Sequence, residues 1–353
     1  MRKRVLSLIC VCGFLQAEMP YASIQSLASI FYSHFDSFKI HSRPLFARSG
    51  ELRVNTLNNG VWVNEEFGFL GHREVGDALK TKDFYNNLSL GVDTSVELPK
   101  ASLYLGGMVD IVAGTSSSFL YQGSRGNYAL GAYLTYFHTS QFFVDVHMKY
   151  FYATQNVIFQ NSSLSDSVYG GGNSNFYLGV NIGQRLSTSF SPFLPTFYFL
   201  EPSVSFETGY LPAEKATLRD GISGEMEGFA PLGVKASLAF GREWNEEFRG
   251  SIKGGVALEY DHQINGKIIL SDGGISDPIK LDKRNDFRVG FFVEADFILN
   301  PHFRFFFRSN STFSGKINTL YAMNLGMRFS FGKVSQHKLH SQENIDWYQE
   351  RLQ

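Results

Sequence analysis

Histidine, cysteine and serine side chains most often carry out catalysis or bind metals, and their placement in this sequence favours neither activity. The nine histidines are scattered, no two are adjacent, and no Gly-x-Ser-x-Gly nucleophile motif is present. The histidines are His34, His41, His72, His138, His147, His262, His302, His337 and His340. We therefore expect no catalytic, cofactor-binding or metal-binding residues, and the sequence does not indicate an enzyme.

Both cysteines, Cys10 and Cys12, lie in an N-terminal segment that resembles a secretory signal peptide. Basic residues at positions 2–4 precede an apolar run that ends at Leu15, and Ala17 supplies a cleavage site. We expect residues 1–17 to be removed on export. The mature chain then contains no cysteine, so disulfides, zinc–thiolate sites and thiol nucleophiles are excluded.

The charged residues of the remaining chain alternate with apolar residues. Between Phe287 and Phe297 the odd-numbered residues are all apolar, whereas Arg288, Glu294 and Asp296 occupy even positions. Because side chains alternate between the two faces of a β-strand, this spacing predicts strands with one apolar and one polar face. Segments of this kind follow one another from Gly60 to Gly332, and many exceed the roughly 9–11 residues that a tilted strand needs to cross a bilayer.

The composition agrees with a membrane protein built from strands. Of 353 residues, 15% are aromatic and only 18% are charged, and the net charge of −1 gives no basis for binding nucleic acid. The mature chain has no apolar run of the roughly 18–20 residues that a membrane helix needs. We predict an all-β, antiparallel transmembrane barrel of about 12 strands over residues 60–332, in contact with outer-membrane lipid. A soluble β-sandwich or solenoid is the alternative.

The polar face of these strands is expected to line the lumen of the barrel. In most such barrels the charges only pair with one another or contact water, but they can also hold a segment of chain inside the pore. Asp296 shares this face with the predicted pore-lining residues, which are Glu201, Glu207, Lys235, Arg242, Lys253, Glu259, Arg288, Glu294 and Arg328.

Residues 18–59 are predicted to be a linker that contains a helix. Ile24, Leu27, Phe31 and Phe35 recur at helical spacing within residues 23–40, and Pro44 would end the helix. A barrel of 12 strands has room for about one helix of 10–12 Å diameter, so this segment is a candidate plug; the alternatives are a helix on the membrane surface and a disordered segment. Residues 333–353 form a polar tail. Long polar connections are predicted at residues 71–83, 155–173, 211–229 and 264–282.

Several short motifs resemble the translocator (β-domain) of type V autotransporters. The chain reads GVWV from Gly60, YNNLSLGVD from Tyr85, FLEP from Phe199 and NLGMRFSF from Asn324. Their order and spacing over residues 45–332 are similar to those of the family, and the aromatic richness most resembles its vacuolating-cytotoxin-like branch.

The resemblance implies a pore-spanning helix, periplasmic chaperones, and assembly by the outer-membrane insertion machinery, which reads the last strand. Met327, Phe329 and Phe331 are the candidate assembly signal. The leading functional hypothesis is a translocator that lacks a large passenger, since only residues 18–59 precede the barrel. The alternatives are a small outer-membrane channel and an adhesin whose external loops bind a host surface. A passenger chain or host ligand is not identified by the sequence.

Overall fold

The predicted transmembrane architecture is present in the computed structural model, which describes most of the chain between residues 21 and 334. The described residues are 21–42, 52–54, 57–72, 80–118, 121–159, 168–187, 197–218, 221–245, 249–272 and 278–334. The predicted signal peptide and residues 335–353 of the predicted tail lie outside these ranges.

One helix and 17 strands are described. The helix α1 is Tyr21–His41, and a short 3-10 turn covers Leu52–Val54. The strands are β1 (Leu57–His72), β2 (Thr81–Leu98), β3 (Ala101–Ser118), β4 (Tyr121–His138), β5 (Phe142–Phe159), β6 (Val168–Gln184), β7 (Leu186–Ser187), β8 (Tyr198–Tyr210), β9 (Glu214–Thr217), β10 (Ile222–Met226), β11 (Leu232–Asn245), β12 (Arg249–His262), β13 (Ile268–Asp272), β14 (Ile279–Leu281), β15 (Asp286–Ile298), β16 (Phe303–Phe313) and β17 (Ile317–Val334).

Twelve of these strands close into an antiparallel barrel, which confirms the prediction from alternation. They are β1 to β6, β8, β11, β12 and β15 to β17, and each pairs with its neighbours along the chain. The barrel closes where β1 pairs with β17, with Val61 opposite Phe329 and Trp62 opposite Arg328. Closure leaves no free edge, which is the condition for a sheet to lie in lipid. Among the described residues, no helix has the length and apolar character needed to cross a membrane.

The two ends of the barrel differ. At one end, here called the turn end, strands are joined by the short links 99–100, 139–141, 246–248 and 299–302, and by a longer connection, 185–197, that contains β7. The other end, the loop end, carries the long connections 73–80, 160–167, 211–231 and 263–285, together with two short links, 119–120 and 314–316. The predicted connection 155–173 is shorter than expected because β5 and β6 extend into it, and Gly170 and Gly172 lie within β6.

Two of the long connections are folded rather than irregular. The connection 211–231 contains β9 and β10, and the connection 263–285 contains β13 and β14. These strands form one antiparallel sheet in the order β14-β13-β10-β9, which we call the cap. Apolar residues alternate along the cap strands, as at Ile222, Gly224 and Met226 in β10, so the cap has one buried face and one exposed face.

Candidate functional site

The helix α1 is buried inside the barrel and beneath the cap. Leu27, Phe31, Phe35 and Phe38 are all 0% exposed, and the polar residue Asp36 is also 0% exposed. A helix that is buried on every side has no face available for lying on a membrane surface. The structure therefore places the candidate plug within the bore.

The N-terminal half of α1 packs against the apolar face of the cap. Leu27 and Phe31 belong to one hydrophobic cluster with Met226, Ile268 and other cap residues. Gly224 of β10 lies directly under this contact, because a Cβ at that position would be 2.8 Å from the ring of Phe31. Since the cap is at the loop end, the N-terminus of α1 points toward that end and its C-terminus toward the middle of the barrel.

His34 connects the helix to the cap through a polar contact. Its Nε2 atom lies against a carboxylate oxygen of Glu214 in β9, and both side chains are buried. Burial beneath the cap raises the pKa of Glu214 to about 8. At neutral pH the protonated carboxyl group of Glu214 can therefore donate a hydrogen bond to the neutral imidazole of His34.

Asp36 anchors the helix to three strands at the loop end of the barrel. Both of its carboxylate oxygens lie 2.8 Å from Nε2 of His72 in β1. Nη2 of Arg125 in β4 lies 3.4 Å from Asp36 and 2.6 Å from Asp83 in β2. All four side chains are buried. With His72 protonated, the cluster contains two carboxylates and two cations, so its charges balance.

The same cluster has a spacing that can hold a metal ion. Ligand atoms of Asp36, His72 and Asp83 lie within 4.8 Å of one another. However, the guanidinium of Arg125 bonds to both carboxylates and supplies positive charge between them. A metal ion there would face this fixed cation, so we interpret the cluster as an ion-pair anchor for the helix.

The C-terminal turn of α1 contacts charged groups on two parts of the wall, with Lys39 near β8 and β12 and His41 near β3, on the side of the Asp36 cluster. Nζ of Lys39 lies 3.2 Å from Glu207 in β8 and 3.4 Å from Asp261 in β12. Nδ1 of His41 lies 3.3 Å from Asp110 in β3, an aspartate that also pairs with Lys149. Positive side chains near the C-terminus also complement the helix dipole.

The predicted pore-lining residues fall mainly on the inner face, where most of them pair with one another. Glu201 lies 2.6 Å from Nζ of Lys253, which also contacts Glu294 at 2.9 Å. Lys235 pairs with Glu259 at 3.0 Å. Glu259 also lies 3.3 Å from Arg288, and Glu294 contacts Arg308.

Arg242 departs from the expectation and is a correction. It is opposite Ile252 and Tyr198 in the sheet, is exposed, and has its guanidinium 5.6 Å from the ring of Tyr198. It therefore lies on the outer face, near the turn end. The odd–even pattern of β11 places it with the apolar residues, and a position beside the membrane surface allows the charge to reach water.

Most of the residues that hold the helix in the bore are not among the predicted pore-lining residues. Of the predicted pore-lining set, Glu207 pairs directly with α1, through Lys39. The other ion pairs to α1 described above use Asp36, His41 and partners that were not singled out. A carboxylate or cation inside an otherwise apolar helix, such as Asp36, is the signal that could have identified an anchor.

A second contact lies below the helix, near the turn end. Nη1 of Arg53, in the 3-10 turn, lies 2.8 Å from Glu201, and its guanidinium sits 4.7 Å from the ring centre of Phe143. A cavity of about 60 Å³ borders this contact and is lined by Arg53, Glu201 and Lys253 among others. The segment before β1 therefore also contacts the inner wall.

Arg328 bridges the closing seam of the barrel. It makes two hydrogen bonds to Asp93 in β2, one of them 2.7 Å long, by crossing over β1 at Gly60. A Cβ at Gly60 would lie 2.0 Å from Nη2 of Arg328, so only glycine leaves room for this arginine. Tyr133 also donates to Asp93, and Trp62 donates to Tyr133. A buried hydrogen-bond network therefore stabilises the seam.

The outer face of the barrel is a continuous apolar belt. Met327, Phe329 and Phe331, the candidate assembly signal, are 45%, 41% and 40% exposed on this face of β17. Other exposed apolar residues of the belt are Leu90, Val109, Leu130, Met148, Leu238, Val256, Phe291, Phe305 and Leu325. A large exposed apolar surface around a closed barrel is a membrane-embedded surface. The class defined by fold and site is therefore a transmembrane β-barrel with a helix inside its bore.

Comparison with protein families assigns the class more closely. The family described as "Autotransporter beta-domain" matches residues 61–308, most of the barrel. The chain belongs to this family, and it is an outer-membrane barrel of the Gram-negative type. By this relationship the loop end faces the cell exterior and the turn end faces the periplasm. No curated protein sequence matches the chain.

Solved structures share the fold at low sequence identity. The translocator domain of autotransporter NalP from Neisseria meningitidis aligns with a TM-score of 0.65 and 11% identity, covering 88% of this chain and 99% of that one. The β-domain of the Bordetella autotransporter BrkA gives a TM-score of 0.60 and 14% identity, covering 78% and 100%. The transport unit of AIDA-I from Escherichia coli gives 0.53 and 13%, covering 85% and 98%. Membership of the vacuolating-cytotoxin-like branch stays a prediction.

Proposed function

We propose that this protein is an outer-membrane barrel of the translocator class in which α1 closes the pore from within, with its N-terminus toward the cell exterior. The observation that carries the proposal is the position of α1, buried in the bore with its N-terminus toward the loop end. Family membership supports a barrel of the translocator class. The role is structural and does not require a catalytic group.

The contacts of α1 support a closed resting state. Apolar packing under the cap holds its outer half, and two charged anchors, at Asp36 and Lys39, hold its inner half on different strands. Removing one partner of a buried ion pair typically costs about 3–5 kcal/mol. Because these contacts are spread over both the wall and the cap, a single local motion does not release the helix.

The adhesin and channel alternatives receive less support. The apolar side of the cap faces α1, while its outer side carries exposed charges such as Lys215 and Glu225. We therefore favour a closing role for these external connections over an adhesive one. An open channel would require α1 outside the bore. The absence of a large passenger stays a prediction from the sequence.

The direction of the helix gives a direct test. An epitope inserted before residue 21 should be detected by antibody on intact cells, because the proposal places that end on the exterior side. A matched epitope inserted in the predicted turn 99–100 should be detected only after the outer membrane is permeabilised. Detection of the N-terminal epitope only after permeabilisation would overturn the proposed translocator.

A further inference from the structure

The barrel wall is taller on one side than on the other. Strands β2 to β6 are 17–18 residues long, whereas β8, β11, β12, β15 and β16 have 11–14 residues. A tilted strand crosses a bilayer with about 9–11 residues. The apolar belt on the tall side ends at exposed aromatic residues, Tyr128, Tyr152 and Phe176. The strands continue past these residues at the loop end, so β3 to β6 rise above the membrane surface.

Most outward side chains of β3 to β6 above this aromatic boundary are small, polar and uncharged; Ile158, which is opposite Gln122 and 55% exposed, is an apolar exception. We call this surface the outer ledge. Its residues are exposed or half-buried, and they are Thr115, Ser117, Gln122, Ser124, Thr154, Asn156, Gly170, Gly172 and Ser174. None of these nine residues carries a charge, although exposed strands in most proteins carry several.

The sheet register arranges these residues in rows. Thr115 is opposite Ser124, Ser124 is opposite Asn156, and Asn156 is opposite Gly170. The glycine leaves one end of this row without a side chain. The result is a flat face whose hydroxyl and amide groups lie side by side, with aromatic rings along its lower border.

The missing charge is specific to the outer ledge. The outer side of the cap is at the same end of the barrel and is also exposed, yet it carries an ion pair between Lys215 and Glu225. Lys280 adds a further exposed charge on that side. Solubility alone therefore does not explain why the outer ledge is uncharged.

We propose that the outer ledge binds the saccharide portion of the glycolipid in the outer leaflet of its own membrane, a role separate from the proposed translocation. Hydroxyl and amide side chains both donate and accept hydrogen bonds, which matches the hydroxyl groups of neutral sugars. Tyrosine rings at the border offer an apolar face and a polar tip, as membrane-interface aromatics do. The nine residues include no lysine or arginine with which to bind phosphate, and the exposed Lys82 of β2 lies at the border of the outer ledge, opposite Ser117.

The outer ledge is continuous with the lipid-facing belt, and this continuity favours the saccharide of a membrane glycolipid as its ligand. The outer ledge begins on the same strands where the belt ends, at Tyr128 and Tyr152. A glycolipid whose acyl chains lie against the belt places its head group beside the outer ledge without any movement of the protein. A glycan from another source would have to approach through that layer.

The test measures binding of glycolipids to the full-length barrel in phosphatidylcholine vesicles. Energy transfer from the protein's tryptophans to a dansyl-labelled glycolipid reports occupancy. Two unlabelled lipids are then tested as competitors of the labelled glycolipid. One is the glycolipid with its complete core saccharide, and the other is lipid A, which has no sugars beyond its disaccharide. We expect the complete glycolipid to compete at a concentration at least tenfold lower than lipid A. Equal competition would overturn the proposal.

Substitutions locate the site. Ser124→Glu with Asn156→Glu should abolish the tenfold preference, because two carboxylates would stand in the middle row of the outer ledge. Thr217→Glu on the exposed side of the cap is the matched control and should keep it. Heat-modifiable gel mobility checks that each barrel is folded. If the glutamate variant does not fold, the double variant Ser124→Ala with Asn156→Ala takes its place. Retention of the preference in a folded outer-ledge variant would refute the site. Equal binding of an unrelated soluble glucan would refute the assigned source.

Discussion

Asp36 is the position where a single substitution should loosen the helix most. Its carboxylate is 0% exposed and bonds to His72 and Arg125. Asp36→Asn keeps the shape of the side chain but removes its charge. Asp83 is then left as the single carboxylate of the cluster beside two cations. Breaking a buried pair in this way costs about 3–5 kcal/mol.

The size of the effect on opening follows from this cost. Each 1.4 kcal/mol changes an equilibrium about tenfold. A loss of about 3 kcal/mol that acts only on the seated helix should therefore raise the population of the released state by about 100-fold or more. Since asparagine can still accept a hydrogen bond from Arg125, the lower end of the range is the appropriate expectation.

Cysteine labelling measures this population. The sequence contains no cysteine after Cys12, so Ser33→Cys gives one reporter in a chain that lacks residues 1–17. Ser33 is 4% exposed and donates a hydrogen bond to the carbonyl of Ile30. A maleimide should react with it about 100-fold faster in the Asp36→Asn background. Lys215→Gln, which breaks the exposed pair on the cap, is the control and should change the rate by about twofold at most. An unchanged rate in Asp36→Asn would refute the anchor.

Three further predictions concern the seam, the cap and the turn end. Arg328→Met should lower the temperature at which the barrel unfolds on heat-modifiable gels, by an amount equivalent to about 3 kcal/mol, because Asp93 loses its cationic partner and keeps the hydrogen bond from Tyr133; equal stability would contradict the seam network. Burial in the closed cap raises the pKa of Glu214 from 4.5 to about 8, so its contribution to cap closure is fully present below about pH 4.5 and is lost at about 1.4 kcal/mol per pH unit up to about pH 8, above which both states are ionised. Proteolysis of the cap should accelerate between about pH 5 and about pH 8 in the native chain, level off above that pH, and show no such rise in Glu214→Gln. Arg53→Ala should increase periplasmic-side labelling of a Ser237→Cys reporter while leaving Ser33→Cys unaffected; parallel changes at both would contradict a separate contact at the turn end.

The barrel could be predicted because its signal is repeated in every strand. In β15, apolar Phe287 to Phe297 alternate with Arg288, Glu294 and Asp296, and a shift of one residue would place those charges in lipid. The same pattern in consecutive segments defines a closed sheet of about 12 strands. Local alternation is sufficient here because a membrane penalises the wrong face by about 2–4 kcal/mol for each charge.

The seating of the helix could not be predicted in the same way. Asp36 meets His72, Asp83 and Arg125, which come from three strands of the barrel that lie well beyond α1 in the sequence. Such contacts depend on the depth and rotation of α1 in the bore, and helical spacing defines neither. Lys253, one of the predicted pore-lining residues that could hold a segment inside the pore, instead pairs with Glu201 within the wall.

The cap shows where a weaker signal was present but not used. Ile222, Gly224 and Met226 alternate with polar residues within a connection that is predicted only as long and polar. Strands of three to five residues carry too few positions for alternation to stand out. Arg242 is the opposite case, because its odd–even position placed it outside the barrel although its charge suggested the lumen.

Single-channel conductance tests most directly whether α1 closes the pore. The intact protein in a planar bilayer should show very low conductance, because α1 occupies a bore with room for about one helix. Deletion of residues 18–45 should give a large increase, and the control Lys215→Gln should remain closed. High conductance of the intact protein, or conductance unchanged by the deletion, would contradict the account.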